Sequence, residues 1–170
     1  MTSGPKSRPS DLRRRLHQHS CWDHLIVAPL WVAYEANLGT LLRTCDAVGA
    51  CMAVSDTEHY RRALEKGDTL AQRPHIHWLR RSKTDWVADE RARGSHIVAV
   101  ELAEDATLLT QLHPARRRTV ILLGHERNGV PEEVWSQIDE VVEVPMVGRG
   151  TSLNVAVAGS LVLYRLAGLS

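Results

Sequence analysis

No apolar run in this 170-residue chain reaches the ~18 residues that a membrane span needs. The N-terminal stretch "MTSGPKSRPSDLRRRLHQHS" has no apolar h-region, which excludes a secretory signal. Cysteine is scarce: Cys21, Cys45 and Cys51, none of them in a C-x-x-C pair. An odd, unpaired set argues against a disulfide framework and fits a reducing cytoplasm. The net charge is only +1, so there is no global basic field. Several catalytic signatures are missing too. No G-x-G-x-x-G follows the first strand, "GHERNG" lacks the G-K-[ST] ending of a phosphate loop, and neither H-E-x-x-H nor zinc spacing occurs. Without a G-x-S-x-G elbow, a Ser-His-Asp hydrolase is not expected. His75-x-His77 falls on one face of a strand, but two histidines alone do not make a metal site, so no metal is expected.

What is present is a balance of 44% hydrophobic and 24% charged residues, that of a globular domain with a real core. Residues 1–24 hold five basic residues (Lys6, Arg8, Arg13, Arg14, Arg15) against Asp11 and Asp23, a local balance of +3. Residues 1–9 read as disordered and "SDLRRRLHQH" as a short helix. Further basic clusters are Arg61-Arg62, Arg80-Arg81-x-Lys83 and Arg116-Arg117-Arg118. Each taken alone is a solvated surface; together they could face a polyanion such as RNA. The division is therefore a basic arm, 1–24, and one domain, 25–170.

Within the domain, strands alternate with helices. Strand patterns are "HLIVAPLWV", "CMAVS", "HIHWL", "HIVAVEL", "RTVILLGHE" and "DEVVEVPM". Helix patterns are "NLGTLLRTCDAVGA", closed by Gly49, "EHYRRALEKG", "KTDWVADERARG", "EDATLLTQLH", "PEEVWSQI" with Pro131 in its first turn, and "SLNVAVAGSLVLYRL". The alternation predicts an α/β fold with a mainly parallel sheet and helices on both faces.

In such sheets ligands bind at the carboxyl ends of the strands. Three loops leave those ends and run into helix N-termini: "YEANLGTLLR", "LLGHERNGVPEE" and "VPMVGRGTSLN". Their convergence would form a pocket lined with backbone N–H groups. The side chains there admit two readings each. Asn37 either caps its helix or serves the site. Arg43, six residues on, is placed on the Asn37 side one turn deeper, and is either a surface residue with a covered stem or an anion ligand. Glu126 is a surface glutamate or a loop anchor. Ser152 reads as an N-cap. Asn154, inside the first turn of an apolar helix, is not favoured there for structural reasons alone.

"NLGTLLRTCDAVGA", "ILLGHERNGVPEE" and "VEVPMVGRGTSLNVAVAGSLVLYRL" together resemble the three motifs of the SpoU-type (TrmH-like) RNA ribose methyltransferases of the SPOUT superfamily. The resemblance spans residues 25–166. It implies a C-terminal deep trefoil knot that holds S-adenosyl-L-methionine by backbone groups near Val100, Gly124, Val144, Met146, Ser152 and Leu153. It implies transfer of a methyl group to a ribose 2′-hydroxyl, with Arg43, Asn37, Glu126, Ser152 and Asn154 as the catalytic set. It also implies a homodimer through the C-terminal helix, its two-fold axis near Val157, Leu161 and Tyr164. Transfer RNA is the expected substrate, with ribosomal RNA as runner-up. A non-catalytic RNA-binding or assembly protein on the same fold is the alternative of another class. The helix ends Tyr164-Arg165 where the family commonly has Tyr-Glu, which sets that dimer contact apart. No separate RNA-binding domain is expected, leaving the basic segment 6–15 as a candidate RNA arm.

Overall fold

A computed structural model describes residues 24–67 and 74–170. The basic arm and the helix expected over 10–19 lie outside the described residues. Seven strands form one fully parallel sheet: β1 (Leu25–Ala28), β2 (Cys51–Ser55), β3 (Ile76–Leu79), β4 (His96–Val100), β5 (Thr107–Leu108), β6 (Thr119–Leu122) and β7 (Glu140–Glu143). Their order is β3-β2-β1-β6-β4-β7-β5. Among the described residues the α-helices are α1 (Glu35–Val48), α2 (Glu58–Gly67), α3 (Lys83–Ala92) and α4 (Val155–Leu166).

β1 is apolar at every position, and β6 and β4 at all but the first, because both faces of the sheet are covered. In β1, Leu25 and Val27 face α1, α2 and α4, with Leu38, Leu41, Leu64 and Val162 packed on them. Ile26 and Ala28 face the other layer, where Trp86 and Val87 of α3 meet Val134. Pro29 has no N–H to continue the ladder, so β1 stops at Ala28 rather than running on to Val32. Gly49 closes α1 in the left-handed region (φ 73°), as its sequence position predicts.

Three expectations are corrected. "EDATLLTQLH" is not a helix: Thr107 and Leu108 pair with Val142 and Glu143 as the edge strand β5, followed by a 3-10 turn at Leu109–Gln111. Edge pairing outweighs a weak local helix preference. Glu132–Gln137 is 3-10 rather than α-helical, and Pro131 precedes it instead of lying in its first turn. Finally, α4 starts at Val155, with Asn154 as its N-cap and Ser152 outside the helix.

Candidate active site

β1, β6, β4 and β7 end side by side, and the chain leaves β1 toward β2 on one side while β6, β4 and β7 lie on the other. Such a switch in strand order opens a crevice at the carboxyl ends. A cavity of about 430 Å³ occupies it, lined by all three loops and by the end of β4. Val100, Gly124, Val144, Met146, Ser152 and Leu153 all line it, as do Asn37, Glu126 and Asn154.

A polar chain ties the loops together. Glu126 Oε2 accepts from the Ala33 N–H at 3.0 Å; its Oε1 accepts from the Tyr34 N–H at 3.0 Å and from Asn37 Nδ2 at 2.8 Å. Asn37 Oδ1 accepts from Asn154 Nδ2 at 3.0 Å. Asn154 Oδ1 caps α4, accepting from the N–H groups of Ala156 (2.9 Å) and Val157 (3.2 Å). Every orientation is forced. An ionised carboxylate only accepts, so Asn37 turns its NH₂ to Glu126 and its oxygen to Asn154, which turns its own oxygen to the helix. Burial alone would raise the Glu126 carboxyl, but these donors outweigh it and hold the group below the usual carboxylate range.

Asn37 therefore does not cap its helix: Tyr34 is at that position, and Asn37 is buried in the first turn. Asn154, expected inside its helix, is the cap. Behind the β1–α1 loop, the buried Tyr60 hydroxyl donates to the Leu30 carbonyl at 2.8 Å, fixing the turn that carries the Ala33 and Tyr34 donors. Burial, with the Glu126 charge adding, pushes its phenol up to about 12, so it stays a donor.

The loop after β6 needs two glycines. His125 and Gly129 exchange two backbone hydrogen bonds, and Gly129 sits at φ 68°. A Cβ on Gly124 would meet the Gly129 carbonyl carbon at 2.2 Å. Glu101, which the motifs do not mark, receives the Val130 N–H at 2.7 Å from across the cavity wall. Its only signal in the sequence is its place directly after a buried strand.

Arg43 is corrected. Six residues at ~100° each put it about 120° around the helix from Asn37. It is exposed, absent from the cavity lining, and borders a shallow groove between α1 and α2 with Gly39, Lys66 and Gly67. Arg165 is intramolecular: it donates to the carbonyls of Leu112, Thr110 and Ser170.

The cavity suits S-adenosyl-L-methionine. Its volume is that of a small-molecule site. Val100, Val144, Met146 and Leu153 offer apolar surface to a purine, and the glycine hairpin brings backbone close to a ligand.

Residues 24–164 match the SpoU rRNA Methylase family. A tRNA (guanosine(18)-2′-O)-methyltransferase of Escherichia coli (strain K12) is 31% identical over 137 residues, covering 75% of this chain and 56% of that protein. The protein of the same name from Aquifex aeolicus (strain VF5) is 32% identical over 145 residues, covering 82% and 67%. The solved AdoMet-bound rRNA methyltransferase from Sinorhizobium meliloti superposes with a TM-score of 0.72 at 26% identity, over 89% of this chain and 59% of that one. The chain thus spans little more than half the length of the E. coli relative. With the three motif loops meeting at one cavity and the match running through nearly the whole described domain, the chain belongs to the SpoU rRNA methylase family.

Proposed function

We propose that the protein transfers a methyl group from S-adenosyl-L-methionine to a ribose 2′-hydroxyl of RNA, with transfer RNA favoured over ribosomal RNA. The observation that carries this is the Glu126–Asn37–Asn154 chain, which holds the three loops around one cavity lined by all six expected cofactor residues. The names of the E. coli and A. aeolicus relatives support tRNA.

When bound, the cofactor supplies an electrophilic methyl on sulfonium. Val100, Gly124, Val144, Met146, Ser152 and Leu153 hold it, and Asn37, Glu126 and Asn154 keep the loops in register around it. The C-terminal segment, threaded from β7 back to α1, forms the family's trefoil knot. Two copies pair through the outer face of α4, where Val157, Leu161 and Tyr164 are 45%, 42% and 37% exposed on a helix whose inner face is buried. Thr44 Oγ1 and Ser160 Oγ lie 2.8 Å apart, so the outer faces of α1 and α4 are continuous. Arg43 lies outside its own cavity and acts across the two-fold axis in the partner's. There its guanidinium, which stays protonated, binds the adjacent phosphate and stabilises the developing alkoxide. The arm 1–24 adds RNA affinity without chemistry. Cys45 is a buried thiol, which fits a reducing cytoplasm; no described helix is long and apolar enough to cross a membrane.

The test is tritium transfer from labelled cofactor to total tRNA and to rRNA, followed by nucleoside analysis. 2′-O-methylated nucleosides in tRNA are expected; label in rRNA alone shifts the substrate, and no label in either removes the activity. Arg43→Ala is expected to lower transfer by roughly 10²–10³ with cofactor affinity intact, and Arg43→Lys to restore little. Mixing Arg43→Ala with Asn154→Ala chains is expected to regain activity, toward about a quarter of wild-type sites. No regain places Arg43 in its own chain's site.

A further inference from the structure

Two carboxylates border the cavity, Glu126 and Glu101. They differ in how many acceptor sites remain. Glu126 already receives three donors. Glu101 receives one, the Val130 N–H on Oε1 at 2.7 Å. Its Oε2 has no hydrogen-bond partner among the described residues and is not sealed from solvent, and Glu101 lines the cavity. Among the described residues no lysine or arginine pairs with it. Gly129 lies against this carboxylate so closely that a Cβ there would meet Oε1 at 2.6 Å, which fixes the side chain's place. Its neighbours in the wall, Val100, Leu102 and Val142, are apolar.

A half-buried carboxylate without a counter-ion is costly unless donors reach it. Burial pushes the Glu101 carboxyl above the usual carboxylate range, and the single Val130 bond does not offset this. Water can supply the remaining donors; a ligand that displaces that water must replace them. In this apolar surround neutral donors serve better than a second buried ion, because a cation would bring its own desolvation cost. The neutral group that presents two adjacent O–H donors to one carboxylate is a vicinal diol.

We propose that Glu101 is a ligand-binding residue: its free oxygen, at the end of β4, accepts from the 2′,3′-diol of the bound adenosyl ribose. This rests on the S-adenosyl-L-methionine reading given above. Glu101 then does two jobs with its two oxygens. Oε1 anchors the hairpin that carries Gly124 and Glu126, and Oε2 sets the nucleoside end of the ligand relative to that hairpin.

The two jobs separate in a binding cycle, read by calorimetry without any turnover. The probes are S-adenosylhomocysteine and its 2′,3′-dideoxy analogue, tested on wild type, Glu101→Gln and Glu101→Ala. Wild type is expected to prefer the diol by roughly 10- to 100-fold, the scale of hydrogen bonds to a charged group. Glu101→Ala is expected to bind both probes equally and weakly. Glu101→Gln keeps an oxygen for the Val130 N–H, and so keeps the fold, but is expected to show a diol preference several-fold smaller than wild type. An anchor that serves only the hairpin would instead lower both affinities together and leave the preference unchanged, which would overturn the proposal. Equal binding of both probes by wild type would overturn it as well. No binding of S-adenosylhomocysteine to wild type would remove the cofactor reading itself, and this proposal with it.

Discussion

Asn154 Nδ2 donates to Asn37 Oδ1 at 3.0 Å, joining residues 117 positions apart. The bond links the cap of α4 to the first turn of α1. It closes a chain that begins at two backbone N–H groups and ends in two others.

The directionality of that chain gives a sharp test. Asp caps helices as well as Asn but cannot donate to Asn37 Oδ1. Asn154→Asp is expected to hold its melting temperature within a few degrees yet lose cofactor affinity, because Asn37 must turn and release Glu126. Asn154→Ala is expected to lose both, with about 0.5–2 kcal/mol from the cap alone. Thermal unfolding beside calorimetry distinguishes them; unchanged S-adenosylhomocysteine affinity in Asn154→Asp would show that the register of the loops does not depend on this bond.

Glu126 sets a pH window. An acid held below its ordinary range contributes stability that is present above the unfolded glutamate value and is lost as pH falls through the folded one. Ligand affinity should therefore stay level from neutrality down to about pH 4 and fall only in more acid solution, as far as Glu126 governs it. Glu126→Gln is expected to weaken binding several-fold already at neutral pH, since its amide accepts with one oxygen where the carboxylate uses two. Titrated affinity of the two proteins provides the comparison.

His77 works in the same direction, over a higher pH range. Burial, with smaller contributions from His75 and Arg118, lowers its imidazole to about 4, and its Nε2 is sealed without a partner. The unfolded chain takes up a proton below about pH 6.5 that the folded chain refuses, so stability is lost from there down to about pH 4. His77→Leu is expected to recover about 1 kcal/mol at pH 4.5 relative to wild type, solvent screening of the half-buried ring reducing the full linkage value, and to change little at pH 7. Urea unfolding at both values checks it; a difference independent of pH would assign the effect to packing.

Pairing through α4 is tested at its outer face. Leu161 is exposed, so Leu161→Glu spares the buried stripe of Ala158, Val162 and Leu166. It is expected to shift light scattering from dimer to monomer without lowering the helix content. A wild-type monomer at micromolar concentration would remove the dimer and, with it, the role of Arg43 across the two-fold axis.

The sequence by itself determined the class of fold, most of the helices and strands, and the family, because these follow from local chemistry. Uninterrupted apolar runs such as "LIVA" and the "VIL" of β6 require a sheet covered on both faces, and Gly49 ends its helix through its own backbone freedom. The loops destined to meet were also legible, since each leaves a strand's carboxyl end. Only the tertiary structure decided which side chains face one another. Asn37 and Asn154 exchanged their expected places as cap and helix residue because Glu126, 89 positions from Asn37, supplies the partner that draws the Asn37 amide inward. Arg43 turned away from Asn37 because Leu38, Leu41, Leu42 and Cys45 take the buried side of α1. Residues 107 and 108 became a strand because β7 offered an open edge. Glu101 acquired its place from a hairpin 29 residues further along the chain. Such pairings are matters of distance in space, and no local pattern encodes them.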